Sequence, residues 1–217
     1  MTIKEIHQQL ELYHRNHKKI FVSSSFQTHS IPLLHILSQA NVPFDVLFIN
    51  TGFHFAETVS FRDEVKKLLK LHVVDVRPQV SKINQKNEDG QFYYVNDPDY
   101  CCYLNKTQPL EPYLQQYDIW ANGVRADQSA VRKAMKTEQS APFNMLRFHP
   151  LLDWNIQQIY AYKKEHNLPE HPLDKKGFQS IGCVPCTQKF DLADERSARW
   201  FGMNKTECGL HTDLISK

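Results

Sequence analysis

The chain has 217 residues, with 26 Lys and Arg against 24 Asp and Glu, 41% hydrophobic residues, 12% aromatic residues and five cysteines. The length suits one domain whose core needs no disulfide staples, and the composition excludes a disordered chain. A net charge of +2 leaves no bulk field for nucleic acid or an anionic membrane. No apolar stretch approaches the roughly 18–20 residues of a membrane span, and the polar run Met1 to Lys19 has no apolar leader, so a cytoplasmic protein is expected.

Ile3, Ile6, Leu10 and Tyr13 recur at helical spacing between Thr2 and Arg15, which predicts an amphipathic helix. Ile20 to Val22 then reads as a strand, Ser23 to Ser25 as its turn, and Ser30 to Ala40 as a helix that tolerates Pro32 in its first turn. The unit repeats with a strand over Phe44 to Ile49, the turn Asn50-Thr51-Gly52, and a helix over Glu57 to Leu71 with Val65, Leu68 and Leu69 on one face. Val73 to Val76 is a third strand, and Asp118 to Ala121 and Met145 to Phe148 are weaker fourth and fifth candidates. Strands alternating with helices predict an α/β fold with an open, mostly parallel sheet and helices on both faces. The polar run Ser81 to Asn96 reads as a loop, Asp97-Pro98 as the cap of a short helix carrying Cys101 and Cys102, and Asp153 to His166 as a helix capped by Asp153. Leu168 to Lys189, broken by three prolines and two glycines, loses periodicity, as functional loops do. No repeat or domain boundary appears, so residues 1–217 are read as one domain, with about 200–217 a mobile tail.

Four cysteines fall in two close pairs, Cys101-Cys102 and Cys183-Val184-Pro185-Cys186; Cys208 stands apart near the end. An odd count in a reducing compartment argues against a disulfide framework. The C-x-x-C spacing serves zinc, iron-sulfur clusters and redox dithiols alike. Adjacent cysteines on a helix point about 100° apart and converge poorly on one small ion. The separate iron corners of a [4Fe-4S] cluster accept them more easily, so Cys101, Cys102, Cys183 and Cys186 fit a cluster better than zinc, with inert buried thiols as the plain alternative. Cys208, nine residues from the end, reads equally as a nucleophile on a mobile tail and as a surface thiol; His211 and Lys205 are the nearby groups that would favour its thiolate.

The turn Ser23 to Ser30 offers hydroxyls, backbone N–H groups and a helix N-terminus to an anion, without the glycines and lysine of a Walker loop; an ordinary Ser/Thr cap reads the same way.

These segments, with Asn50 to Thr58, Cys101-Cys102 followed by Lys106, Gly123 to Ser129, Pro150 to Trp154, Ser180 to Thr187, Asp194 to Trp200 and the tail Glu207-Cys208-Gly209-Leu210-His211, resemble the assimilatory adenylyl-sulfate and phosphoadenylyl-sulfate reductases of iron-sulfur type. Those enzymes belong to the adenine nucleotide alpha-hydrolase-like group. The resemblance implies that Cys208 attacks the sulfur of adenosine 5′-phosphosulfate, giving an S-sulfocysteine and AMP, and that thioredoxin or a similar dithiol then frees sulfite for cysteine biosynthesis. It implies a [4Fe-4S] cluster on Cys101, Cys102, Cys183 and Cys186 and a homo-oligomer; no electron-transfer role is expected of the cluster, because two thiols already supply both electrons. It places Lys106, Arg125, Arg196 and Arg199 at the phosphosulfate, Thr51 and Gly52 at the adenosine or ribose, and Ser23, Ser24, Ser25 and His211 among the substrate contacts. Two departures from the family pattern, His29 and Asn50, bear on the nucleotide.

The alternatives are a reductase that prefers or also accepts 3′-phosphoadenosine 5′-phosphosulfate, a non-catalytic iron-sulfur nucleotide sensor, and an ATP-pyrophosphatase-type tRNA sulfur enzyme. The last expects a Ser-Gly-Gly loop where Ser23-Ser24-Ser25-Phe26 stands.

Overall fold

The computed structural model describes residues 1–189, 199, 200, 203, 205, 207–211 and 214, His211 by its backbone alone. Helix α1 (Ile3–Arg15) starts at a capping box: the Thr2 side chain accepts the Glu5 N–H, and Glu5 in turn accepts the Thr2 N–H. There follow β1 (Ile20–Ser23), α2 (Ile31–Gln39), β2 (Asp45–Ile49), α3 (Ala56–Leu68) and β3 (Val73–Val76). The remaining elements are α4 (Tyr93–Asn96), α5 (Pro98–Cys102), α6 (Gln108–Leu114), β4 (Ile119–Asn122), α7 (Ala130–Lys133), β5 (Glu138–Ser140), β6 (Leu146–Phe148) and α8 (Ile156–Glu165).

The strands form one sheet in the order β3-β2-β1-β4-β6-β5, parallel except for β5, which runs antiparallel to β6. Both faces are buried, and strand alternation divides the core. Ile20, Val22, Val46, Phe48, Ile119 and Ala121 join Ile6, Leu34, Phe61 and Ile159 of α1, α2, α3 and α8 on one face. Phe21, Leu47 and Trp120 meet Leu110 and Leu114 of α6, and Leu214 near the C-terminus, on the other. Chain order reverses between β1 and β4, where Ser23 pairs with Asn122, and open parallel sheets hold ligands in the crevice at that switch point.

The structure departs from the sequence reading in several places. Helix α8 is capped by Asn155 rather than Asp153, because Asn155 and Gln158 bond reciprocally, each at 2.9 Å, while Asp153 pairs with the terminal ammonium. Helix α3 stops at Leu68, which is exposed; Val65 and, after the turn, Leu71 take the core positions. The helix carrying Cys101 and Cys102 is not short but runs on through a π-helical turn, Tyr103–Thr107, into α6. There Asn105 Nδ2 donates to the Cys101 carbonyl at 2.8 Å, the acceptor an α-helix would give to the Asn105 N–H, and the backbone shifts its register. The polar run before α5 contributes one fully buried side chain, Gln85, whose amide exchanges two hydrogen bonds with that of Asn105 (2.9 and 2.6 Å).

Candidate active site

A cavity of about 200 Å³ opens at the switch point, lined by the carboxyl ends of β1, β2 and β4 and by the loops that follow them. The first loop supplies Ser23, Ser24 and Ser25. Its backbone is held open by Phe26, which takes a left-handed φ of 53° so that its ring can bury against Phe48. Ser24 Oγ accepts the Phe26 N–H at 3.1 Å, and Ser23 Oγ accepts the Trp120 indole N–H at 2.7 Å, so these hydroxyls shape the loop as well as face the cavity. Ser30 and the start of α2 close this side, beside His29.

The second loop brings Thr51 and His54. Thr51 is buried and its Oγ1 lies 3.3 Å from Cys183 Sγ. His54 Nε2 donates to the Ile49 carbonyl at 2.9 Å, which fixes the tautomer and leaves Nδ1 as an acceptor. Burial pushes the His54 imidazole down to about 4, and it is neutral at physiological pH. His54 Nδ1 and Asn122 Nδ2, both buried and both belonging to cavity-lining residues, have no hydrogen-bond partner among the described residues; one accepts and one donates, as a polar ligand requires.

The tail brings Cys208 to the same cavity. Its Sγ lies 3.6 Å from Lys106 Nζ. Burial works against the thiolate, but Lys106, the backbone at Leu210 and Arg199 outweigh it, and the Cys208 thiol is held below its ordinary value. For Lys106, the sulfurs of Cys102, Cys208 and Cys183 more than offset burial and keep the ammonium charged far above neutrality. Arg199 also lines the cavity, donating to the carbonyls of Cys186 (3.2 Å) and Ile181 (3.3 Å) with its guanidinium over the Trp200 ring. It lies flat against Gly182, where an added Cβ would fall 2.2 Å from Nη2, so only glycine gives this approach.

Beneath the cavity, Cys101, Cys102, Cys183 and Cys186 line one cleft with Phe53, Tyr94, Asn105, Lys106 and Pro185. Burial pushes the Cys101 thiol up to about 12 and Cys186 up to about 11, and raises Cys102 as well. Asn105 Nδ2 lies 3.6 Å from Cys101 Sγ. No group of three or more His, Cys, Asp or Glu among the described residues is gathered closely enough to hold a single metal ion.

The structure thus brings Ser23, Ser24, Ser25, Thr51, Lys106, Arg199 and Cys208 to one cavity and the cysteine quartet to the cleft beside it. Arg125 and Gly52 do not line the cavity. Arg125 is buried and donates from Nε to Asp127 at 2.9 Å, and Asp127 in turn accepts the first N–H of α8, so this arginine ties a loop to a helix. Gly52 forms the turn after β2 at φ 74°, its N–H donated to Asn50. Asn50 also serves that turn, whereas His29 faces the cavity. Arg196 lies outside the described residues, as does the His211 side chain; His211 is placed by its backbone in the turn Gly209–His211. The tail segment is docked at its described positions: Glu207 and Leu214 are buried, and Cys208 is half-buried against Cys183, Cys186 and Trp200. Arg147, stacked on Trp120 at 4.4 Å, donates to the carbonyls of Leu210 and Leu214. The sequence reading passed over His54 and Glu207, which lie within Asn50 to Thr58 and the Glu207 to His211 tail, and Asn122 and Arg132, one residue before and three residues after Gly123 to Ser129.

Among the described residues no helix is long and apolar enough to cross a membrane. The family model described as phosphoadenosine phosphosulfate reductase domain matches residues 19–189. A phosphoadenosine 5′-phosphosulfate reductase of Gloeobacter violaceus is 39% identical over 198 residues, covering 89% of this chain and 82% of that protein. Adenosine 5′-phosphosulfate reductases of Oceanobacillus iheyensis and Rhodococcus opacus are 35% and 36% identical, covering 89% and 82% of this chain and 82% and 73% of their own. Among solved structures, the phosphoadenylyl-sulfate reductase of Candida auris in its phosphate complex shares the fold at a TM-score of 0.66 and 21% identity, covering 82% of this chain and 88% of its own. The FMN adenylyltransferase of Candida glabrata shares it at 0.59 and 16%, covering 87% and 66%. The sheet is therefore of the adenine nucleotide alpha-hydrolase-like kind, and the chain belongs to the phosphoadenosine phosphosulfate reductase family.

Proposed function

We propose that the protein is a cytoplasmic reductase that converts adenosine 5′-phosphosulfate to sulfite and AMP, with thioredoxin or a similar dithiol protein as reductant, in assimilatory sulfate reduction. The observation that carries this reading is the 3.6 Å approach of Lys106 Nζ to Cys208 Sγ in a cavity floored by the Ser23–Ser25 loop. A lone thiol held toward its ionised form beside a fixed cation, at a sheet edge suited to nucleotides, is equipped to attack a sulfur bearing anionic oxygens. The names carried by relatives at 35–36% identity support the same substrate.

In the first step the Cys208 thiolate attacks the sulfate sulfur. An S–S bond forms, the S–O bond to the 5′-phosphate breaks, and AMP leaves with the electron pair. Lys106 and Arg199 offset the repulsion between thiolate and phosphosulfate, and the N-terminus of α2 with the serine loop receives phosphate oxygens. In the second step a thiolate of the dithiol attacks Cys208 Sγ and displaces sulfite. The partner's second thiol resolves the mixed disulfide and frees Cys208, so both electrons come from the dithiol.

We further propose that Cys101, Cys102, Cys183 and Cys186 hold a [4Fe-4S] cluster, which when bound supplies a charged, polarisable centre beside the anion site. The donor set fits. The four thiols share one cleft, and burial raises the Cys101, Cys102 and Cys186 thiols, whereas coordination removes the proton. Thr51 and Asn105 approach Cys183 and Cys101 as hydrogen-bonding groups around thiolate ligands do. Protein purified without oxygen is expected to be brown and to contain about four iron and four acid-labile sulfide per chain. Stoichiometric zinc without labile sulfide would refute the cluster.

The reaction is tested by supplying the purified enzyme and reduced thioredoxin with adenosine 5′-phosphosulfate or its 3′-phosphorylated form. Sulfite and AMP are expected in equal amounts from the first, at the higher kcat/KM. A preference for the 3′-phosphorylated substrate would overturn the assignment and favour the activity named for the Gloeobacter relative.

A further inference from the structure

We propose that Arg132 and Glu207 form a latch that positions the nucleophile, holding Cys208 in the cavity by a buried ion pair one residue away from the thiol. The inference rests on reading Cys208 as the attacking group. Both partners are almost wholly buried, at 6% and 4% exposure. The pair is a bidentate fork, with Arg132 Nε 3.0 Å from Glu207 Oε2 and Nη2 2.9 Å from Oε1. Ser129 Oγ donates to Oε2 at 3.2 Å, and Oε1 also accepts the backbone N–H of Cys208 itself at 3.0 Å. One carboxylate therefore joins the body of the protein to the backbone of the reactive residue.

The arginine end is rigid. Arg132 sits in α7, its backbone N–H bonded to Ser129 Oγ at 3.3 Å, and its remaining guanidinium nitrogen reaches the Gln128 side chain. By charge alone, a carboxylate beside a thiol that must meet an anion is a poor choice, since it repels both the thiolate and the incoming sulfate. Arg132 cancels that charge, and what remains is geometry: a planar fork that accepts two parallel N–H groups and still has a lone pair for Cys208. Removing either partner leaves an uncompensated buried charge or a lost fork, so the tail loses its seat; Glu207 does not line the cavity, so its replacement leaves the walls in place, whereas Arg132 is itself part of them.

The test uses the full-length, metal-replete protein and its Glu207→Gln, Arg132→Lys and Glu207→Gln/Arg132→Met variants. The readouts are the rate of Cys208 alkylation by iodoacetamide without substrate, single-turnover formation of S-sulfonated Cys208 at saturating adenosine 5′-phosphosulfate, and AMP affinity. In Glu207→Gln, Cys208 alkylation is expected to rise about tenfold as the docked population falls. S-sulfonation at saturation is expected to fall about 10- to 100-fold through misplacement of the sulfur, with AMP affinity within about threefold of wild type. The double variant should be no slower than the slower single one, because the interaction is already lost. Alkylation and S-sulfonation both within about twofold of wild type in Glu207→Gln would overturn the latch, as would a defect confined to AMP binding, which would make Arg132 a nucleotide ligand. Glu207→Gln is nearly isosteric, so it keeps the test decisive if the arginine variants fold poorly. Alkylation needs no turnover: an inactive wild type would sink the reductase reading and leave the latch measurable.

Discussion

Cys208→Ser is expected to lower sulfite production by more than about 10³-fold while leaving cluster content and AMP binding unchanged. Serine fills nearly the same volume, and Cys208 lies in the tail, outside the strand ends and loops that make most of the cavity. The chemistry changes completely, because a hydroxyl is neither ionised near neutral pH nor soft enough to attack sulfur and then be released by a dithiol. Mass spectrometry after one exposure to adenosine 5′-phosphosulfate should find SO3 added to Cys208 in the wild type and none in the variant. Undiminished turnover would remove the thiol from the mechanism and overturn the proposed route through S-sulfocysteine.

Lys106→Met is expected to slow formation of S-sulfonated Cys208 about 10²- to 10³-fold, the scale of losing one preorganised charge at a reacting centre. Methionine keeps much of the packing of the half-buried lysine stem but removes the cation 3.6 Å from the sulfur. That cation does two things: it holds the thiol below its ordinary value and it offsets the charge of the incoming phosphosulfate. Only the first loss is recovered by raising the pH. Without the ammonium the thiol ionises at a higher pH, so the single-turnover rate should rise along a profile displaced to the alkaline side and level off below wild type. A full recovery at high pH would show that Lys106 acts on the thiol alone, and an unchanged rate at all pH values would exclude it from the first step.

The first half of the fold was legible because β1 and β2 are buried over most of their length and, with the half-buried β3, read as short, mainly apolar runs between helical patterns. Strand β5 was not, since Glu138-Gln139-Ser140 is a polar, largely exposed edge strand whose pairing to β6 is a tertiary fact with no local hydrophobic trace. The π-turn was hidden for a similar reason. It depends on Asn105 reaching the Cys101 carbonyl and on Gln85 reaching Asn105 from 20 residues away. In the site, cysteine spacing located the sulfur groups, because thiols are few and their pairs are close in sequence. Cations were harder. Arg125 and Arg132 stand seven residues apart in one segment, and nothing in their local pattern tells the loop-bracing arginine from the one that lines the cavity. Glu207 was visible beside Cys208, but its role became readable only when Arg132, 75 residues earlier, was found against it.

Leu214 has a kinetic meaning. Its side chain is 4% exposed and clusters with Phe21, Leu47 and Trp120 on the α6 face of the sheet, so on the proposed reaction Leu214 must leave a core position for a reductant to reach Cys208. Burial of one leucine is worth about 1.5–3 kcal/mol, a bias of about ten- to a hundredfold toward the docked form. On the proposed reaction Leu214 is therefore expected to brake turnover, an effect set by an aliphatic side chain that does not line the cavity.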